Sequence, residues 1–205
     1  MALMLTGRLD AQQKFTTSTY LGINTGGNFC TVSFKPTASQ KLMTSASFGL
    51  ILRHISEPNI GTQVELNYAG RGWIEDRDSV GRYERNLQIL DIPVTAAFVA
   101  GNRNLRFVFN LGPYFDRLLE ERETISIADT SHYQEYYGKK LENQWEFGFT
   151  GGLTIEVHTK AGAFGIRAVY SHSLSNLFPL NSDNFYYSAS RTQTIHAGIT
   201  YMIKL

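Results

Sequence analysis

The sequence predicts an all-β fold, an eight-stranded antiparallel up-and-down transmembrane β-barrel. Three observations predict it. Apolar and polar residues alternate with period two in eight separate runs, short and long connections alternate between the runs, and aromatic residues gather near the run ends. Period two is the spacing of side chains that share one face of a strand, whereas a helix of period 3.6 would mix the two sets.

The first run, around Tyr20 to Asn28, is the weakest, with Leu21 and Ile23 set against Gly22 and Asn24. In the second, Ala46, Phe48, Leu50 and Leu52 oppose Ser45, Ser47, Gly49 and Arg53; in the third, Val64, Leu66 and Tyr68 oppose Gln63, Glu65 and Asn67. The fourth sets Leu90, Ile92, Val94, Ala96 and Phe98 against Asp91, Pro93, Thr95 and Ala97. The fifth sets Leu105, Phe107, Phe109 and Leu111 against Arg106, Val108, Asn110 and Gly112. The sixth is the clearest: Trp145, Phe147, Phe149, Leu153, Ile155 and Val157 lie on one face, and Glu146, Thr150, Thr154 and Glu156 on the other. Phe164, Ile166, Ala168 and Tyr170 mark the seventh, and Ile195, Ala197, Ile199, Tyr201, Ile203 and Leu205 the eighth.

Short links carrying turn residues fall at Ser56–Ile60, Gly101–Asn104 and Thr159–Gly162. Long links fall at Phe29–Met43, Trp73–Arg85, Glu120–Asn143 and Leu174–Arg191. Short turns on one side and longer loops on the other are the pattern of an up-and-down membrane barrel.

Alternation alone leaves open whether the apolar face meets lipid or an internal core, as in a soluble lipocalin-like ligand-binding barrel. Two features favour lipid. The polar face mixes charges with Gly49, Gly112, Gly148, Gly152, Gly165 and Gly198, a mixture that a narrow lumen requires and a watery exterior does not. Aromatics also form two candidate girdles: Trp73, Tyr114, Phe115, Trp145 and Tyr170 at the long-loop end, and Phe98, Phe164 and Tyr201 at the short-turn end. The expected location is the bacterial outer membrane, with lipid as the first partner.

Composition agrees. No apolar run approaches the roughly 20 residues of a membrane-spanning helix. Charge is nearly balanced, 19 Lys and Arg against 18 Asp and Glu, which gives no reason to expect nucleic-acid binding. Residues 1–11 read as the remnant of a signal peptide, with apolar Ala2 to Leu5 and a small residue at Ala11, and residues 12–205 as the barrel domain. The single cysteine, Cys30, has no partner for an internal disulfide.

Six stretches resemble the PorT-like outer-membrane β-barrel proteins of Bacteroidetes. They are Gly22–Phe29, Val64–Trp73, Leu87–Phe98, Asn110–Phe115, Phe147–Val157 and Tyr170–Leu177, in family order over nearly the whole chain after residue 18. The resemblance implies an outer-membrane location in such bacteria. One namesake of the family participates in protein secretion across the outer membrane, which implies secretion-machinery or other envelope proteins as partners.

Three sets of residues are candidates for function. Arg53, Glu65, Arg71, Asp91, Arg106, Glu146, Glu156, Arg167 and Lys204 all fall on the polar face, where they are expected to pair and fill the interior as a structural network. The link Glu120–Asn143, with Tyr133, Tyr136 and Tyr137, is the candidate recognition loop, because Tyr offers large contact area at low entropic cost. Ser171, His172 and Ser173 raise the alternative of an outer-membrane lipid-modifying enzyme. Neighbours on a strand point to opposite faces, however, so His172 cannot readily serve either serine as base. His54, His132, His158 and His196 lie on different elements without ligand spacing, and the Gly-Gly pairs lack the lysine of a phosphate loop. The expectation is a non-catalytic barrel with no cofactor and no metal, acting as a membrane-anchored structural or interaction module.

Overall fold

A computed structural model describes residues 16–35, 40–77, 81–127, 134, 136–141, 143–178 and 189–205. The signal-peptide reading of residues 1–11 lies outside them, as does Tyr133. Among the described residues the chain forms β1 (Ser18–Lys35), β2 (Met43–Glu57), β3 (Ile60–Arg77), β4 (Gly81–Gly101), β5 (Leu105–Ile127), β6 (Trp145–Thr159), β7 (Gly162–Ser173) and β8 (Ala189–Lys204). Each strand pairs antiparallel with the next, and β1 pairs with β8 from Tyr20↔Lys204 to Lys35↔Ala189, closing the barrel. Closure leaves no strand edge to face hydrocarbon, where an unpaired backbone group costs several kcal/mol.

The predicted parity sets the walls. Leu21, Ile23, Phe48, Leu50, Leu66, Phe107, Phe109, Phe147, Phe149, Ile166 and Ile199 all point outward and stay exposed. Asn24, Arg53, Gln63, Glu65, Asn67, Asn110, Thr154 and Glu156 point inward and are buried. A soluble lipocalin-like barrel would have the reverse arrangement, so the outward apolar face removes that alternative. Glycine makes the narrow lumen passable to bulky neighbours: a Cβ on Gly148 would come within 2.8 Å of the Tyr114 ring and press on the backbone of His172.

The three short turns fall where the sequence places them, at Pro58–Asn59, Asn102–Asn104 and Lys160–Ala161. Gly101, at φ 123°, holds the left-handed backbone that starts the second of these. The long links are shorter than expected. β1 continues to Lys35, β3 to Arg77 and β5 to Ile127, and β4 already begins at Gly81, so Trp73–Arg85 and Glu120–Ile127 are mostly strand. A membrane crossing needs about 9–11 strand residues. β3, β4 and β5, at 18, 21 and 23 residues, therefore rise well above the bilayer on the long-loop side.

Where these strands leave the apolar belt, their apolar residues change face. Within the belt Leu90, Ile92 and Val94 of β4 point outward; above it Tyr83, Leu87 and Ile89 point inward, with Arg82, Glu84, Asn86 and Gln88 outside. β1 switches likewise, from outward Leu21 and Ile23 to inward Val32 and Phe34. In lipid the apolar surface belongs outside, and in water it belongs inside. On β5 a bulge at Leu119, between Ile89↔Leu118 and Gln88↔Glu120, shifts the parity so that Glu121, Glu123, Ile125 and Ile127 turn inward.

The structure corrects the girdle reading. Phe115, Trp145 and Tyr170 stand outward at the long-loop end, and Phe98 and Phe164 at the turn end. Trp73 and Tyr114, expected beside them, are 0% and 1% exposed and lie inside the barrel. Trp73 shares the parity of Glu65 and Arg71, and Tyr114 that of Asn110, so alternation had already placed both inward.

Candidate functional site: the lumen and its two mouths

The lumen is built in layers. At the turn end Tyr20, Ile51, Ile55, Ala163 and Met202 form an apolar plug. Above it Arg53 pairs with Glu156 at 2.7 Å and donates to Gln63 at 2.6 Å. Gln63 in turn donates to Glu65, and the Arg167 guanidinium grips Glu65 with two hydrogen bonds of 2.9 and 3.0 Å. Asn67 donates to both Glu65 and Asp91, at 3.2 and 2.9 Å. Arg71 then gathers three carboxylates: Asp116 in close contact, Glu146 at 3.4 Å and Asp91 at 3.5 Å. Glu146 also accepts from Tyr114 and Thr192, at 3.1 and 2.8 Å. Seven strands, β2 to β8, are linked through these side chains alone, and a void beside Asn67, Asp91 and Arg167 is about 40 Å³. That is room for a few waters and not for a passage.

The long-loop mouth closes with a small core of its own. Val32, Phe34, Trp73, Tyr83, Leu87, Tyr136, Tyr137, Leu177 and Phe178 pack together, with Phe34 stacked on Tyr136 at 5.0 Å and Tyr83 on Tyr137 at 3.9 Å. Two fully buried charges organise this lid. Glu75 accepts from Trp73 Nε1, Tyr136 and Tyr137. Arg85 pairs with Glu123 at 2.9 Å and Glu121 at 3.4 Å, donates to the Lys139 carbonyl at 2.7 Å, and lies over the Trp73 and Phe178 rings, each at 5.5 Å. Glu121 and Glu123 also accept from the backbone of Leu141 and Gly138, which ties the segment 136–141 down. Burial holds the Tyr83 hydroxyl above its ordinary pKa, and its hydrogen bond to Glu123 acts in the same direction.

Seven of the nine predicted lumen charges thus enter ion pairs: Arg53, Glu65, Arg71, Asp91, Glu146, Glu156 and Arg167. Among the described residues Arg106 and Lys204 do not. Arg106 donates to the Tyr20 hydroxyl at 3.2 Å, and Lys204 is exposed at the turn end, where a solvated ammonium has no need of a buried partner. The tyrosines of the candidate recognition loop require a second correction. Tyr136 and Tyr137 are 0% and 8% exposed, spent on the lid and not on an outer binding surface. Sequence reasoning missed Asp116, Glu75, Arg85, Glu121 and Glu123. Asp116 had a legible signal, since it has the parity of Asn110 and Tyr114; the others lay in stretches read as loop. On β7, Ser171 donates to Thr150 at 2.9 Å and Ser173 to the Ser175 carbonyl at 2.9 Å, while His172, between them, faces the other way.

A closed ring of eight strands, apolar outside and ion-paired inside, is the architecture of small outer-membrane barrels. The family model described as outer membrane protein beta-barrel domain matches residues 11–179. The chain belongs to this family. Its place is therefore the bacterial outer membrane, where barrels of this kind hold their short turns toward the periplasm. Among solved structures, OprG of Pseudomonas aeruginosa aligns over 91% of this chain and 96% of its own, at 10% identity and a TM-score of 0.54. Neisserial surface protein A aligns over 91% of this chain and 99% of its own, at 8% identity and a TM-score of 0.48. Ail of Yersinia pestis aligns over 90% and 99%, at 14% identity and a TM-score of 0.47. At such identities the likeness concerns the fold alone. No curated protein matches the chain in sequence.

Proposed function

We propose that this barrel is a non-catalytic, membrane-anchored structural or interaction module of the PorT-like kind found in Bacteroidetes, working with secretion or other envelope proteins. The observation that carries the reading is the filled lumen: paired charges occupy the middle, and an aromatic lid and an apolar plug occupy the ends. A barrel built this way offers its surfaces and not its bore. The surface that rises above the lipid is the outer face of β4 and β5, with Arg82, Glu84, Glu120 and Arg122 exposed or half-exposed. The lipid-modifying alternative needs a nucleophile within reach of a base, and the opposed directions of Ser171 and His172 count against it.

Two experiments test the proposal. A pull-down of the tagged barrel from outer membranes in mild detergent is expected to bring down secretion components, and recovery of the barrel alone would argue against a secretion role. Lipid A from cells lacking the protein is expected to be unchanged; altered acylation would revive the enzyme.

A further inference from the structure

The two lumen-facing cations that find no carboxylate among the described residues share one place. Arg106 and Lys204 both line a vestibule of about 300 Å³ at the turn end, together with Tyr20, Arg103 and the Pro58–Asn59 turn. Among the described residues three cations line it and no carboxylate does. Glu156 stands opposite Arg106 on β6, but its oxygens are engaged by Arg53 and His158, and Glu57, next to Pro58 in the chain, is exposed and not part of the lining. Tyr20 orients Arg106 through its hydroxyl and packs edge-on against His158 at 6.0 Å. The floor of the vestibule is the apolar plug, of which Tyr20 and Ile55 are part.

We propose that this vestibule is a binding site for a phosphorylated small anion from the periplasm. Charge selects the ligand class. Three cations lining one vestibule, without a counter-ion among the described residues, match the two or more negative charges of a phosphate or pyrophosphate better than a single carboxylate. An Arg fork presents paired N–H donors that fit phosphate oxygens. Position selects the source. Tyr20, Arg106 and Lys204 face the barrel axis, and lipid headgroups surround the barrel at its rim, so the occupant enters from water. Because the site opens to solvent, its affinity falls with added salt. The inference does not depend on the secretion reading, since it concerns the opposite end of the barrel from the lid.

The test is calorimetric titration of pyrophosphate into the full chain refolded in phosphatidylcholine nanodiscs. One saturable site is expected. Arg106→Gln and Lys204→Gln should each weaken binding about tenfold or more, the loss of one charge-assisted contact. Lys160→Gln removes the same charge from the neighbouring turn, outside the vestibule, and should leave binding nearly unchanged. Lys204 is exposed, so its variant keeps the fold even if Arg106→Gln does not. Repetition in phosphatidylglycerol nanodiscs separates the sources: binding that persists supports the axial site. Loss of pyrophosphate binding there would assign the cations to lipid headgroups and overturn the proposal. Absence of saturable binding, or equal weakening by all three variants, would overturn it as well.

Discussion

Phe149 and Thr150 are sequence neighbours near the middle of β6, yet one is 56% exposed on the outer wall and the other 4% exposed in the lumen. Lysine at a lipid-facing midplane position costs roughly 2–4 kcal/mol of folding stability. Phe149→Lys is therefore expected to destabilise the barrel in lipid more than Thr150→Lys, which introduces crowding but stays among polar groups, beside the lumen void that Thr150 lines with Glu65 and Asp91. Phe149→Leu should be nearly tolerated. Unfolding titrations of the three variants in one bilayer check the order, and a mild Phe149→Lys would mean the strand faces the other way. Arg71 supplies a second residue-scale prediction. Replacing it with Met leaves Asp91, Asp116 and Glu146 without their shared cation, and breaking a buried pair costs about 3–5 kcal/mol. Restoration of stability by adding Asp116→Asn to Arg71→Met, measured in the same titration, would support the pairing; a harmless Arg71→Met would refute it. These side chains were legible from parity alone. Trp73 and Tyr114 were equally legible and were misread as girdle, because aromatic composition near a strand end outweighed the face on which each residue falls.

At the scale of elements, the extension of β3, β4 and β5 above the lipid explains what the sequence hid. Inside the belt one face is apolar and the other polar, so period two is plain. Above it the apolar residues move to the inner face and share it with Glu75, Arg85, Glu121 and Glu123, and the stretch reads as loop. The bulge at Leu119, which turns Glu121 and Glu123 inward, leaves no trace in residue type. The short turns, by contrast, were legible because Pro58, Asn59, Gly101 and Asn102 mark them. The lid built on this extension makes its own prediction. Arg85→Ala removes the cation that holds Glu121, Glu123 and the Lys139 carbonyl, so the segment 136–141 should loosen while the membrane-spanning ring stays closed. Trypsin is expected to cut after the exposed Lys139 or Lys140 faster in this variant than in the parent, with the heat-modifiable gel shift retained. Equal cleavage rates would mean that the aromatic packing alone holds the lid.

On the scale of the whole molecule, closure and occlusion are separate properties with separate tests. Closure predicts that the folded chain migrates differently on gels with and without boiling, because a ring with no strand edge resists detergent. Identical migration in both lanes would contradict a closed barrel. Occlusion is the central claim. Eight strands leave an interior just wide enough for side chains. Here that interior is filled by the Arg53–Glu156, Arg167–Glu65 and Arg71 clusters between two apolar closures. The most direct measurement is single-channel recording of the purified, refolded chain in planar bilayers: the filled lumen predicts no reproducible conductance steps, and large, reproducible steps would contradict it.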